Sequence, residues 1–559
     1  MNKELEGRTP LACLYHWERT RPDAVHLIQP VGGGEVVEYR WKQILDEVRR
    51  MAAHLRSLAL PPQSQIALLG KNSAHWMMAD WAIWMAGHVT VPLYPTLNAE
   101  TVRYILSHSD SKLLFVGKLD DWAAMQGGVP AQMPLIRLPL APDAGGETWN
   151  AIIARTAPLP GEPDRRLDEM ATIVYTSGST GQPKGVMQSF ASFSLCGTLL
   201  QQLFPLSVED RMLSYLPLAH VAERLVVQNN STYHGFQVYF AESQASFVAD
   251  LRRARPTLFF SVPRLWTKFQ LAVCDKLPLK KQKILFRIPV LGKRVKRKIL
   301  EQLGLQCVRY AFTGAAPLPE PTVAWYRGLG LELLEAYGMS ENFAYSHFTR
   351  PGDAKIGYVG PPNPGVECRI GEMGEILVKS PAQMMGYYKA PEATAEALTS
   401  DGYFRTGDMG EIDADGRLRI TGRVKELFKT SKGKYVAPVP IENKLGAHPR
   451  LEVVCVGGAN QAATFALALL SEDSRRHLAN GGDRAEIEAE LAALMQEVNA
   501  TLDPHEELQF IAVVKEVWSI DNGFLTPTMK VRRNVVEKHY EPSQAAWYRA
   551  RKPVLWEAG

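Results

Sequence analysis

The stretch Tyr175–Gly185, YTSGSTGQPKG, decides how the rest of the chain is read. Its glycines, Gly178, Gly181 and Gly185, permit backbone angles that turn successive N–H groups toward one point. The hydroxyls of Thr176, Ser177, Ser179 and Thr180 add donors that rotate to fit, and Lys184 adds a compact charge. In front, the apolar run Ala171, Ile173, Val174 reads as the end of a buried strand, and Pro183-Lys184-Gly185 fixes the far end. A segment held at both ends can wrap an oligophosphate, whereas an ordinary glycine-serine surface turn needs neither anchor. No Gly-Lys-Ser/Thr closes the loop, so it is not the Walker pattern.

Upstream, Val36 to Tyr39 suits a strand, and Trp41, Ile44, Val48, Met51 and Leu55 recur at helical spacing. Strand-like runs follow at Gln65 to Leu69 and Leu113 to Val116, and downstream at Leu213 to Leu216, Val238 to Phe240, Leu258 to Val262 and Tyr310 to Thr313. Strands alternating with helices predict parallel sheets covered on both faces, with ligands beyond the carboxyl ends of the strands. The block from Pro130 to Asp168, rich in proline and glycine, is expected to wander over the surface. From Gly360 the texture shifts to short strands and tight turns, and after Arg423 a smaller unit begins. Its helix is expected to pack Ile487, Leu491, Leu494, Val498 and Leu502 on one face.

At 559 residues the chain is too long for one ordinary core. A formal net charge of +4 gives no general argument for nucleic acid. The six cysteines form no CxxC pair or zinc spacing and fit free thiols in a reducing cytosol. No signal peptide or membrane-spanning stretch is read, so a cytoplasmic protein is expected. One run departs from the average: Lys276 to Lys298 holds ten lysines and arginines and no acid, interleaved with Ile284, Leu285, Phe286, Val290 and Leu291. It reads as a solvated basic face or as a peripheral contact with an anionic membrane.

Further motifs carry chemistry: Gly314-Ala315-Ala316-Pro317, then EAYGMSE from Glu335 to Glu341, YFRTGD from Tyr403 to Asp408, Gly422-Arg423-Val424-Lys425-Glu426 and LTPTMK from Leu525 to Lys530. With the opening stretch they resemble the adenylate-forming superfamily of acyl-CoA synthetases, luciferases and peptide-synthetase adenylation domains, over nearly the whole chain to about Tyr540. YLPLAHVAER from Tyr215 to Arg224 and VPRLW from Val262 to Trp266 look like the bacterial long-chain acyl-CoA synthetases. The resemblance implies an α/β fold: an AMP-binding domain of doubly wound sheets with a β-rich subdomain over 1–424, a small mobile α+β domain over 425–540, and a tail over 541–559 that it leaves unexplained.

It also implies roles. Lys184 and the loop residues Thr176 to Gly181 take the phosphates, and Gly314, Ala315 and Ala316 wall the adenine pocket. Tyr337 stacks on the base, with Gly338 behind it, and Ser340 contacts phosphate. Glu341 and Thr176 hold magnesium, Asp408 and Arg423 the ribose. Lys530 is the catalytic lysine, His220 stands at the mouth of the acyl pocket, Lys425 is the hinge, and Gly433 in TSKGKY lies along the pantetheine path. Joining two anions is an electrostatic problem, so cations are needed and no base is: a carboxylic acid of pKa ~4–5 is already ionised.

The implied reaction is fatty acid ligation to coenzyme A with ATP; transfer of the adenylate to a carrier protein, or a catalytically silent nucleotide- or acyl-binding regulator, are the rival readings. The chain departs from the family in two places: Glu223 and Arg224 occupy the region where a tryptophan gate is expected, and Phe190 stands where a histidine often follows the loop.

Overall fold

The structure is a computed structural model that describes all residues except 1–4, 6, 177–181, 315, 317, 521, 527–529 and 558–559. The strand foreseen before the glycine-bearing stretch runs Met170–Thr176 and turns antiparallel onto Lys184–Ser189, with Thr176 opposite Lys184. This pair belongs to an eight-stranded sheet whose other strands include Val89–Leu93, Gln65–Leu69 and Leu113–Val116, mutually parallel. Near-continuous apolar strands of this kind are buried on both faces.

Against the sheet lies the helix Ala74–Ala86, capped by Ser73, which accepts from the Trp76 N–H at 3.1 Å, and stopped at Gly87 in the left-handed conformation. All its side chains are buried, Trp76, Trp81 and Trp84 among them. Asp80 in its middle is ion-paired with Arg224 at 2.5 Å, and both are shut from solvent. Arg224 opens a π-helical turn, Arg224–Asn229, a geometry that often marks functional positions.

A second sheet stacks Leu258–Ser261, Tyr310–Gly314 and Leu333–Tyr337 in parallel. A four-stranded antiparallel sheet follows, from Glu367–Ile370 to Leu418–Arg423, the β-rich texture read after Gly360. The last unit is a mixed four-stranded sheet, Leu451–Gly457, Thr464–Leu470, Leu508–Val514 and Val554–Trp556, with an apolar cluster on each side.

Three details differ from the sequence reading. The block 130–168 is not all surface chain: Leu135–Arg137 and Glu147–Thr148 extend the eight-stranded sheet, and Trp149 and Ile152 of the next helix are buried. In the helix Arg484–Asn499 the buried stripe is Ile487, Leu491, Met495 and Val498, because Leu502 lies past the helix end and Leu494 turns partly out. Residues after 540 continue the helix Arg533–Ala550, and Val554–Trp556 then pairs in parallel with Leu508–Val514, closing the edge of the small sheet.

Candidate active site

The strands Met170–Thr176, Arg211–Ser214, Tyr310–Gly314 and Leu333–Tyr337 all end in segments singled out by sequence. Backbone strands fix these ends to within the register of their sheets, so side chains just beyond them are positioned without their own packing. Ser177, Gly178, Ser179, Thr180, Gly181 and Ala315 lie outside the described residues.

Tyr337, Asp408 and Arg423 form one cluster. The buried Tyr337 hydroxyl donates to Asp408 Oδ2 at 2.8 Å, and Arg423 Nε donates to Oδ1 at 2.9 Å. Asp408 and Arg423 are direct cross-strand neighbours. Burial drives the Tyr337 phenol well above its ordinary pKa, with the Asp408 charge adding to it, so it remains a donor. Each carboxylate oxygen keeps a second lone pair, so Asp408 can still accept from a vicinal diol.

Glu341 stands on the opening turn after Tyr337, in the segment Ser340–Asn342. Its Oε1 accepts from the Tyr387 hydroxyl at 2.8 Å, and Lys184 Nζ lies 4.8 Å from the centre of the same ring. Burial raises the Glu341 pKa, while Lys184 and Arg423 act on it only through space in the opposite sense. Ser340 is buried, and its carbonyl is held by Gln188 Nε2 at 2.7 Å. Gly338 is obligatory by contact: a Cβ would meet the carbonyl of Ala344 at 2.6 Å. At Gly314 a Cβ would stand 3.1 Å from the Ala336 carbonyl, and Ala316 is exposed beyond it.

Lys530 comes from the far end of the chain, in a loop closed by an isolated bridge between Leu525 and Val531. Its side chain keeps contact with solvent, yet crowding by protein atoms and then the Arg423 charge lower its pKa, against Asp408 and Glu426. Its charge also reaches His220, whose pKa falls to about 4, mainly through burial. His220 Nδ1 accepts from the Ala222 N–H at 3.1 Å, capping the short helix Val221–Glu223. The neutral ring therefore carries its proton on Nε2 and is a donor there, not a base.

Gly433 has φ +78° and sits in the turn between Phe428–Lys429 and Tyr435–Val436; the hydrogen bonds of the described residues do not tie it to the cluster. Tyr387 and Gln188 were not foreseen. Tyr387 lies on a strand of two residues, Gly386–Tyr387, and only its pairing with Lys184–Ser189 brings it to Glu341. Glu223 was seen as a misfit and is a hub: its Oε1 accepts from Ser214 Oγ at 2.8 Å and the Tyr215 N–H at 3.1 Å, and burial pushes its pKa up to about 8.

The residues fit magnesium. A carboxylate whose charge burial opposes, with one oxygen steered by a tyrosine, gains from a nearby divalent cation. Magnesium normally takes one or two protein oxygens and otherwise phosphate and water.

Comparison with known proteins gives the family. The AMP-binding enzyme family matches residues 14–388, and the AMP-binding enzyme C-terminal domain matches 426–552. The long-chain-fatty-acid–CoA ligase FadD15 of Mycobacterium tuberculosis is 33% identical over 96% of this chain and 96% of its own. The long-chain-fatty-acid–CoA ligase 5 of Rattus norvegicus is 27% identical over 91% of this chain and 84% of its own. In fold, the chain is similar to the adenylation domain of a carboxylate reductase from Mycobacterium chelonae, with TM-score 0.78, 21% identity and coverage of 97% and 91% of the two chains. It is likewise similar to ATP-bound MatB from Rhodopseudomonas palustris, with TM-score 0.74, 23% identity and coverage of 95% and 98%. The chain belongs to the AMP-binding enzyme family, the adenylate-forming enzymes.

Proposed function

We infer that the protein is an ATP-dependent fatty acid–CoA ligase that works through an acyl-adenylate, with long-chain acids as its substrate class. The observation that carries this is the cluster of Tyr337, Asp408 and Arg423 at the strand ends, with the charges of Arg423 and Asp408 acting on Lys530, in a chain 33% identical over 96% of its length to a long-chain ligase.

In the first half reaction a carboxylate oxygen of the fatty acid attacks the α-phosphorus of ATP; the new O–P bond forms as the bridging bond to pyrophosphate breaks and its electrons leave with that group. Lys184 and Lys530 lower the repulsion between the two anions, and Asp408 with Arg423 anchors the ribose while Tyr337 faces the base. Glu341 and Thr176 would hold magnesium, which when bound neutralises phosphate charge. In the second, the thiolate of coenzyme A adds to the acyl carbonyl and AMP departs. His220 Nε2–H can donate near the acyl group, so another group takes the thiol proton.

The same proposal divides the chain at 424–425, with the small domain turning about Lys425 between the half reactions. The ion pair of Arg264 with Glu452 that links the two units is half exposed on the arginine side, and such pairs contribute ~1 kcal/mol or less, so it yields readily. A cytosolic home belongs to this reading too, supported by six unpaired cysteines.

The test is thioester formation with acids from acetate to oleate, using coenzyme A or an acyl carrier protein as acceptor. The reading requires AMP-forming synthesis of acyl-CoA that rises with chain length. Activity confined to short acids, or to the carrier protein, contradicts it.

A further inference from the structure

Lys276 to Lys298 is the segment that the reaction leaves unused. Its ten cations exceed the formal net charge of the whole chain, +4, so the rest of the molecule is net acidic. The structure folds it as two helices, Leu279–Leu285 and Leu291–Leu303, that pack on the domain through Gln282, Ile299 and Leu303. Gln282 is pinned from both sides: it accepts from Trp325 Nε1 at 2.8 Å and donates to the Leu277 carbonyl at 2.6 Å. The hairpin is thus firmly seated.

What it turns outward is unusual. Ile284 is 67% exposed and Val290 63%, with Leu279, Ile288 and Leu291 also above 40%. Val290 has φ +65° and ψ −57°, with the Leu291 N–H bonded to the Pro289 carbonyl at 2.7 Å, a strained turn for a β-branched residue that holds an apolar side chain at the tip. Around these side chains stand Lys280, Lys281, Lys283 and Arg287, all exposed. On the flank of the second helix, Arg255, Lys293, Lys296 and Arg297 line a concavity of about 330 Å³ away from the adenylate cluster. A solvated basic face has no use for five exposed aliphatic side chains at its crest, whereas an anionic bilayer meets both features at once.

We propose that the hairpin 279–303 seats the protein on an anionic membrane surface. Ile284, Ile288, Val290 and Leu291 enter the headgroup region, the flanking lysines and arginines pair with lipid phosphates, and the concavity beside the second helix takes one such headgroup. The proposal goes beyond the ligase reading, and its test measures binding without turnover, so either can fail alone.

Co-sedimentation of the full-length protein with vesicles of phosphatidylcholine, with and without about 30% phosphatidylglycerol, tests it. The proposal requires binding that depends on phosphatidylglycerol and weakens with salt. Because each basic side chain near such a surface contributes roughly fivefold, the combined Lys280→Gln, Lys281→Gln, Lys283→Gln and Arg287→Gln variant should bind on the order of 10³-fold more weakly. Combining Ile284→Ser, Val290→Ser and Leu291→Ser should cost roughly tenfold or more. Wild-type binding equal with and without phosphatidylglycerol overturns the proposal. So does charge-variant binding equal to wild type, or duplex DNA bound as tightly as the vesicles and unaffected by the serine substitutions, which would mark a general polyanion surface.

Discussion

Lys530 and Glu223 show two opposite uses of a charge in a crowded place. The lysine is exposed, with the charges of Asp408 and Glu426 acting on it, and in the proposed reaction its ammonium would meet the developing negative charge. Lys530→Ala is expected to slow acyl-adenylate formation roughly 10²- to 10³-fold while leaving acyl transfer from a supplied acyl-adenylate near wild type. Separate single-turnover measurements of the two half reactions check this, and equal loss in both contradicts the role. Glu223 is buried with a pKa near 8 instead of 4.5. The native state then holds a proton that the unfolded chain releases, so this group's contribution is full below pH 4.5 and is lost as pH rises to about 8. Glu223→Gln, which keeps the acceptor oxygen, should become more stable relative to wild type by a few kcal/mol across that window. Urea midpoints of the two proteins at several pH values decide it; parallel curves contradict it.

Among the elements, what could be read in advance was what repeats at short range. The helix from Trp41 and the strands at Gln65 and Leu113 announce themselves by period and composition, and the strand before Thr176 by its apolar run. Trp149 did not: proline and glycine on both sides hide a short strand and helix whose burial is decided by the sheet edge they join. Tyr387 was hidden for the same reason, since no local spacing tells that a strand of two residues will lie beside Lys184–Ser189. Gly338, in contrast, was legible as part of a motif, and the structure gives its physical need. Gly338→Ala forces a Cβ against the Ala344 backbone, so a loss of ~1–3 kcal/mol and a lower thermal midpoint are expected. A midpoint equal to wild type would mean that the turn can open without cost.

On the scale of the whole molecule, the proposed reaction has two units share one site only part of the time. Arg423 closes the large unit, and Val424–Glu426 forms a single tight turn before the small one begins. Lys425→Pro suits that turn but removes freedom from the connection. It is expected to leave adenylation within a few-fold of wild type and to lower thioester formation ~10²-fold; equal effects on both steps would argue against a rotation about this residue.

The central claim is that a glycine-bearing turn and a lysine from the far end of the chain bring two anions into one bond. Exchange of labelled pyrophosphate into ATP measures that bond directly. The account predicts exchange that depends on a long-chain fatty acid and proceeds without coenzyme A. Exchange that runs without the acid, or none until coenzyme A is added, would contradict it.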